Sequence, residues 1–164
     1  MKKNEQKLIS DFYVLKVEQL MDKKVWDIPI VDKDTPIINI LHILDGRSHV
    51  WVVNDSIKKK LVGVITRQDV LVTLAPPRSS FSMFSVTLYK FHGTKGKAED
   101  VMNKDPITSR LDEKIVDVLQ KMIKHRIRRL PVVNKENNIL GEITLQHLIH
   151  KFYLVSRYHS IIDN

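Results

Sequence analysis

The sequence contains no cysteine and no long apolar run. Without cysteine the chain forms no disulfide framework, no thiolate metal site and no cysteine nucleophile, which agrees with a reducing compartment. A membrane-spanning helix needs roughly eighteen or more consecutive apolar residues, and the N-terminal sequence MKKNEQKLISDF lacks the apolar stretch of a signal peptide. We therefore expect a cytoplasmic protein with no membrane insertion.

Motifs of catalysis are also missing from the sequence. There is no G-x-S-x-G and no G-x-x-x-x-G-K-[ST] segment, and nothing resembles a zinc protease helix. His147 and His150 lie three residues apart on a predicted helix, but two ligands without a nearby carboxylate or cysteine do not make a metal site. We expect no enzyme activity, no catalytic cofactor and no bound metal.

The composition is that of a globular protein with a basic surface. Of the 164 residues, 43% are apolar and 28% are charged, so the chain has enough apolar residues to fold. The net charge of +8 favours an anionic partner, which could be a nucleic acid, an acidic protein surface or a phosphorylated small molecule.

The chain contains two copies of one pattern, and repeats of this kind decide how many folding units must be explained. Three segments recur in the same order, with offsets of 81, 80 and 78 residues. They are the openers VEQLMDK (17–23) and AEDVMNK (98–104), the segments HVWVVND (49–55) and RLPVVNK (129–135), and the segments GVITRQDV (63–70) and GEITLQHL (141–148).

The apolar spacing predicts the elements of each copy. Two short apolar runs that flank a turn indicate a pair of strands, and apolar residues at helical spacing lie before and after this pair. Each copy is therefore close to β-α-β-β-α, with too little apolar surface to stand alone, and we expect an α+β fold in which two repeats pack sheet to sheet about a pseudo-twofold axis. The predicted stripes are Ile37, Ile40, Leu41 and Leu44; Val70, Leu71 and Leu74; Ile115, Val118, Leu119, Met122 and Ile123; and Leu145, Leu148, Ile149 and Phe152.

These elements divide the chain into five parts: an N-terminal helical extension (1–16), repeat 1 (17–75), an insertion (76–97), repeat 2 (98–152) and a C-terminal extension (153–164). The insertion has no counterpart in either copy. Its apolar spacing predicts an amphipathic helix that either packs on its own chain or forms a dimer or partner contact. The residues on its apolar face are Phe81, Phe84, Leu88 and Phe91.

The order, lengths and motifs of the two copies resemble a CBS domain pair, also called a Bateman module, of the stand-alone type. The resemblance runs from about Val17 to Phe152, and RLPVVN followed by GEIT, together with GVITRQDV, carries it. It implies a regulatory sensor, not an enzyme, that binds AMP, ADP or ATP, or sometimes S-adenosylmethionine, in clefts between the repeats.

Thr66 and Asp69 lie at the junction between a predicted strand and the helix that follows it. The free N–H groups at the helix start favour an anion, an Asp can accept hydrogen bonds from both ribose hydroxyls, and a Thr can donate to a phosphate oxygen. The same T-x-x-D spacing is also that of a capping box, in which Thr66 caps the helix and Asp69 returns the bond. Both roles can hold at once.

A basic residue from the second copy completes the site that the resemblance implies. Arg128 and Arg129 directly precede LPVV, where the family places a residue that reaches the phosphate, and the planar guanidinium fits phosphate oxygens in pairs. Alternation along a strand points the two side chains to opposite sides, so we favour Arg129. Alternatively, both belong to a solvated basic edge.

For the adenine, the resemblance implies an apolar slot, although the same residues could be plain core. The residues it indicates are Ile28, Pro29, Ile30, Leu130 and Pro131.

The second, pseudosymmetric cleft departs from the pattern. Its Thr144 is followed by His147 in place of an Asp, while His49 and Trp51 replace an Arg and the Pro. A neutral imidazole offers one acceptor where a carboxylate offers several. We therefore expect a degenerate second site and one nucleotide per chain.

The sequence as a whole predicts a homodimeric sensor that reports an adenosine ligand to an unidentified regulated protein. The alternative from another class is a nucleic-acid-binding protein that uses the net charge of +8, and a steep salt dependence of its binding would distinguish it.

Overall fold

A computed structural model describes residues 3–74 and 96–162, with side chains described for 7–70 and 96–157. The apolar face predicted for the insertion, with Phe81, Phe84, Leu88 and Phe91, lies outside the described residues.

The chain divides into two compact units. The continuous unit is Pro29–Pro106, and the split unit combines Met1–Ile28 with Ile107–Asn164. Both units mix helices with strands, so the predicted α+β class is confirmed.

A four-stranded sheet organises the continuous unit. Strands β1 (Ile30–Asp32) and β2 (His49–Val53) run parallel, while β3 (Leu61–Thr66) and β4 (Asn103–Lys104) extend the sheet with antiparallel pairing in the order β1-β2-β3-β4. Helix α3 (Ile37–Gly46) connects the parallel strands, as such a crossover requires.

Within its described residues the continuous unit has two further helices, α4 (Arg67–Leu74), directly after β3, and α5 (Ala98–Val101), before β4. One face of the sheet packs against α3, and each fully buried aliphatic side chain there contributes about 2 kcal/mol of stability. The core residues are Val31, Ile37, Ile40, Leu44, Val50, Val52, Ile65 and Ala98.

The split unit is built around an antiparallel hairpin. Strands β5 (Arg129–Val133) and β6 (Ile139–Thr144) pair with Arg129 opposite Thr144 and Pro131 opposite Glu142. Isolated bridges add Ser109 beside Val132 and Asp22 beside Glu142, in the places that β1 and β4 take in the continuous unit.

Four helices in the described residues complete the split unit: α1 (Lys3–Val14), α2 (Val17–Leu20), α6 (Ile115–His125) and α7 (Leu145–Ile162). One face of the hairpin packs on this helical layer. The buried core residues are Phe12, Val17, Met21, Ile115, Val118, Met122, Leu130, Val132, Ile143 and Leu148.

The compact units do not coincide with the sequence repeats, because each opener joins the hairpin of the other copy. The first opener reaches the split unit, where the Asp22 amide donates to the Glu142 carbonyl over 2.8 Å and receives a bond from the Glu142 amide over 3.2 Å. The second opener forms β4, in which Asn103 pairs with Val64 and Lys104 with Gly63. The openers are therefore exchanged between the two β-hairpins.

A methionine of each opener lies against a glycine of the hairpin that receives it. A Cβ atom built on Gly63 would lie 2.5 Å from the Met102 Sδ, and one built on Gly141 would collide with both the Met21 Cε and the backbone oxygen of Asp22. Both glycines are buried. The recurring Gly and Met are thus two sides of one close contact, made once in each unit.

The helices agree with the predicted stripes except at the ends. Ile37, Ile40 and Leu44 are buried on α3, and Ile115, Val118 and Met122 are buried on α6, as predicted. Ile123 at 77% and Ile149 at 61% exposure lie at the edges of their stripes and have turned beyond the buried face, so the prediction that these two residues face the core was wrong. Phe152 is 39% exposed and meets the core through the Phe12 ring. The side chains of Leu71 and Leu74 lie outside the described residues.

Backbone bonds and an ion pair attach the second opener to the turn after β1. The Ala98 amide donates to the Thr35 carbonyl over 2.9 Å, and the Glu99 amide donates to the Lys33 carbonyl over 3.0 Å. Directly before the opener, the Lys97 Nζ lies 2.5 Å from the Asp34 Oδ1. Hydrogen bonding to Lys97, and then to Lys33, lowers the pKa of the Asp34 carboxyl, while Asp34 raises the pKa of Lys97. The ion pair is solvent-exposed, so it helps to position the second opener but adds little to the stability of the fold.

Candidate functional site

Thr66 and Asp69 form a hydrogen-bonded unit at the junction of β3 and α4. The Asp69 Oδ2 accepts a bond from the Thr66 amide and another from the Thr66 hydroxyl, both at 2.7 Å. The Asp69 amide lies 3.4 Å from the Thr66 Oγ1. The capping-box interpretation is therefore confirmed, and it fixes the carboxylate in the first turn of α4, where the helix dipole favours a negative charge.

A third donor reaches the same carboxylate from the exchanged opener. The Asn103 Nδ2 donates to the Asp69 Oδ1 over 2.8 Å. This bond engages the second carboxylate oxygen, so both oxygens of Asp69 are held by neighbouring donors. Asn103 was not predicted from the sequence. The available signal was that Asn103 stands in the second opener where the first has Asp22.

Arg67 connects this junction to the preceding helix. Its Nε donates to the Leu44 carbonyl and its Nη2 to the Asp45 carbonyl, each over 2.9 Å. These carbonyls belong to the last turn of α3, where backbone acceptors need partners and a cation is favourable. The start of α4, and with it Asp69, is thereby held beside the end of α3.

The second copy repeats the capping arrangement with a weaker acceptor. The His147 Nδ1 accepts from the Thr144 amide over 3.3 Å, and the Thr144 Oγ1 accepts from the His147 amide over 3.2 Å. The imidazole uses its acceptor nitrogen in this contact, so no carboxylate is presented at the corresponding place.

The two arginines differ in their surroundings. Arg128 is exposed just before β5, and its carbonyl accepts a bond from the Leu145 amide over 2.8 Å. Arg129 is partly buried as the first residue of β5, with its Nη1 3.9 Å from the Glu142 Oε1. Because Leu130 points into the core, alternation places Arg129 on the opposite face of the hairpin.

The residues predicted to hold the adenine are distributed over both units. Ile28 is buried in the split unit, whereas Pro29 and Ile30 belong to the continuous unit, where the Pro29 carbonyl accepts from the Trp51 amide over 2.8 Å. Pro131 lies on the same face of the hairpin as Arg129. Leu130 is fully buried in the core of the split unit, so we do not retain it as a ligand contact.

His49 and Trp51 are buried on the face of β2 that points away from the core of the continuous unit. Both are 3% exposed, and their rings meet edge to face with centroids 4.9 Å apart. His49 on β2 lies directly opposite Thr66 on β3, so the aromatic pair is next to the hydrogen-bonded Thr66 and Asp69 in the sheet.

The predicted site residues thus form two groups, each within one unit. The continuous unit holds Thr66 and Asp69 with His49 and Trp51, and the split unit holds Arg129 and Pro131 with Thr144 and His147. No group of three or more His, Cys, Asp or Glu that could hold a metal ion occurs in the part of the chain that is described. Among the described helices, none is long and apolar enough to cross a membrane.

Comparison with known families gives a match in both copies. The CBS domain profile matches residues 17–75 and 98–153. This chain belongs to the CBS domain family. The resemblance inferred from GVIT, GEIT and RLPVVN is therefore confirmed, and so is the presence of two CBS copies in this chain.

Curated relatives include one of similar length and several larger enzymes. An uncharacterised protein of Methanocaldococcus jannaschii is 25% identical, over 83% of this chain and 90% of that protein. A homoserine O-acetyltransferase of Methanosphaera stadtmanae is 28% identical over 63% of this chain, but the match spans 17% of the enzyme. An inosine-5'-monophosphate dehydrogenase of M. jannaschii is 30% identical, with 15% of the enzyme matched. This CBS chain therefore corresponds to a small part of those enzymes.

Solved structures share the fold. CBSX2 in complex with AMP gives a TM-score of 0.68 at 20% identity, covering 86% of this chain and 98% of CBSX2. The CBS domain pair of protein MJ0100, in complex with 5'-methylthioadenosine and S-adenosyl-L-methionine, gives 0.59 at 25% identity over 85% and 96% of the two chains. A CBS domain-containing protein of Bacillus anthracis gives 0.69 at 20% identity over 88% and 97%.

Proposed function

We propose that this CBS chain is a regulatory module that binds one adenine nucleotide and signals its presence to a protein partner. The observation that carries the proposal is the Asp69 carboxylate, which Thr66 and Asn103 hold at the start of α4, where the helix dipole favours a negative charge. The ligands named for CBSX2 and for MJ0100 all contain adenosine, which supports this ligand class.

In this proposal the two groups of site residues serve different parts of the ligand. Asp69 accepts hydrogen bonds from the ribose hydroxyls, and Arg129 binds the phosphate through its guanidinium. Thr66 contacts the ligand at the start of α4. Ile28, Pro29, Ile30 and Pro131 provide apolar surface for the adenine. Arg128 is exposed and serves as a secondary contact for the phosphate.

The Thr144–His147 arrangement is proposed to bind no nucleotide. His147 supplies a single acceptor nitrogen, which the Thr144 amide already engages. His49 and Trp51 fill the corresponding sheet face of the continuous unit with aromatic rings. One ligand per chain follows.

Signalling is proposed to be a population shift. A bound ligand favours the conformations of the chain that hold it best, and the partner protein responds to that change in population. The chain itself is proposed to catalyse no reaction and to act in the cytoplasm.

Calorimetry tests the ligand class directly. Titration of the full chain with AMP, ADP, ATP and S-adenosylmethionine should show saturable binding of at least one of them, with one site per chain. Absence of binding by all four would contradict the proposal.

The chain is also proposed to form a homodimer through α1 and α7. Tyr13, Ile149 and Tyr153 are 41%, 61% and 55% exposed on these helices, which also meet through the Phe12 and Phe152 rings at 5.3 Å. Exposed apolar surface of this kind on adjoining helices is typical of an interface.

Light scattering on the purified chain should give the mass of a dimer, and Ile149→Lys together with Tyr153→Lys should shift it to the monomer. The matched control is Ile123→Lys on α6, since Ile123 is 77% exposed in the same unit and should leave the dimer intact. A monomer at every concentration of the unsubstituted chain would exclude the dimer.

A further inference from the structure

Glu142 is an acidic residue buried in the hairpin of the split unit. It is 9% exposed, lies on β6 opposite Pro131, and has its Oε1 3.9 Å from the Arg129 Nη1. Arg129 and Glu142 are diagonal neighbours on the face that points away from the core, where side chains of adjacent strands interact. The backbone of Glu142 exchanges two hydrogen bonds with Asp22, which fixes the position from which the side chain extends.

The acid is specific to one copy of the repeat. Val64 occupies the place of Glu142 in GVIT, and His49 occupies the place of Arg129, so the charged pair has no equivalent on the corresponding strands of the continuous unit. A buried carboxylate is costly, and a buried ion pair stabilises a fold no better than apolar residues of similar size. Fold stability therefore does not explain why an acid stands where the other copy has a valine.

We propose that Glu142 is the resident counter-ion of Arg129 and makes the ligand site select adenosine compounds of low negative charge over triphosphates. This inference rests on the proposed function, in which Arg129 binds the ligand phosphate. A phosphate must compete with Glu142 for the guanidinium. Every further phosphate adds negative charge near a carboxylate that is buried and therefore weakly screened.

The size of the effect follows from Coulomb's law. Two like charges about 8 Å apart at an effective dielectric constant near 20 repel enough to lower affinity by a factor on the order of 30, and the partial exposure of Arg129 reduces this to about tenfold. A nucleoside monophosphate places fewer charges there than a triphosphate. A ligand with a cationic centre, such as S-adenosylmethionine, gains attraction from Glu142.

Calorimetric titration of full-length Glu142→Gln measures this selection. With divalent cations chelated, ATP should bind the variant about tenfold more tightly than it binds the unsubstituted chain. AMP carries fewer negative charges and should gain less than ATP, and S-adenosylmethionine should gain nothing or bind more weakly. Glu136→Gln is the matched control, because it removes the same charge from the exposed turn at the other end of the hairpin and should leave the ratio of the ATP and AMP affinities unchanged.

The possible outcomes separate the inference from the proposed function. If AMP binds but Glu142→Gln leaves the ratio of ATP to AMP affinity unchanged, the role of Glu142 is refuted and the nucleotide-binding function stands. If no adenosine ligand binds the unsubstituted chain or either variant, the proposed function is refuted and the inference with it. Glu142→Val, which reproduces the residue at Val64, provides the same comparison should Glu142→Gln fold poorly.

Discussion

Asp69→Ala should weaken binding of the adenosine ligand by about 10- to 100-fold, and Arg129→Ala should do the same. Hydrogen bonds to a charged group contribute about 1.5–3 kcal/mol, which corresponds to this range of affinity. The Asp69→Ala variant lacks the acceptor for the ribose hydroxyls, and the Arg129→Ala variant lacks the planar donor for the phosphate. Calorimetry with the ligand that binds the unsubstituted chain most tightly measures both losses.

Each of these substitutions has a matched control. His147→Ala removes the residue that corresponds to Asp69 in the second copy, including its contact with Thr144, and should leave ligand affinity nearly unchanged. Arg128→Ala removes the exposed neighbour of Arg129 and should cost threefold or less by the usual weakness of exposed charge contacts. Unchanged affinity in Asp69→Ala and Arg129→Ala combined, with the fold intact by circular dichroism, would refute the site.

Gly141→Ala should lower the free energy of unfolding by about 3 kcal/mol, whereas Gly63→Ala should lower it by about 1 kcal/mol. The new methyl group at residue 141 meets the backbone oxygen of Asp22, which is fixed by its bond from the Glu142 amide. At residue 63 it meets the thioether of Met102, 2.5 Å from Sδ, and a methionine side chain can move aside.

Urea unfolding of the three glycine variants measures this difference. Gly46→Ala is the control, since no atom lies within 4 Å of a Cβ at the end of α3, and alanine there should be neutral or slightly stabilising. Equal small effects at residues 63 and 141 would show that the exchanged openers are not held against the hairpins as described.

The duplicated segments predicted the class of fold and the positions of its elements, since apolar spacing and turn residues act locally. They did not predict the exchange of openers. Two copies with the same sequence pattern look alike whether each opener pairs with its own hairpin or with the other one. Contacts in the structure, such as those between Asp22 and Glu142 and between Asn103 and Val64, distinguish the two arrangements.

The site was predictable to the extent that its chemistry lies in short motifs. The T-x-x-D spacing predicted the bonds between Thr66 and Asp69, and strand alternation predicted that Arg128 and Arg129 differ in their surroundings. Asn103 was missed because it reaches Asp69 only through the pairing of β4 with β3 from a distant segment. Glu142 was missed because its contact with Arg129 depends on the register of the β5–β6 hairpin. Leu130 was proposed for the ligand, yet its place in the alternation puts it in the core.

Native mass spectrometry of the freshly purified full chain tests the central claim most directly. The claim is that one adenosine ligand binds per chain, through Asp69 and Arg129. We predict an added mass equal to one adenosine ligand for each chain, either carried through purification or acquired on adding AMP, and absent from Asp69→Ala. Two ligands per chain with equal affinity, or no added mass with AMP, ADP, ATP or S-adenosylmethionine, would contradict the account.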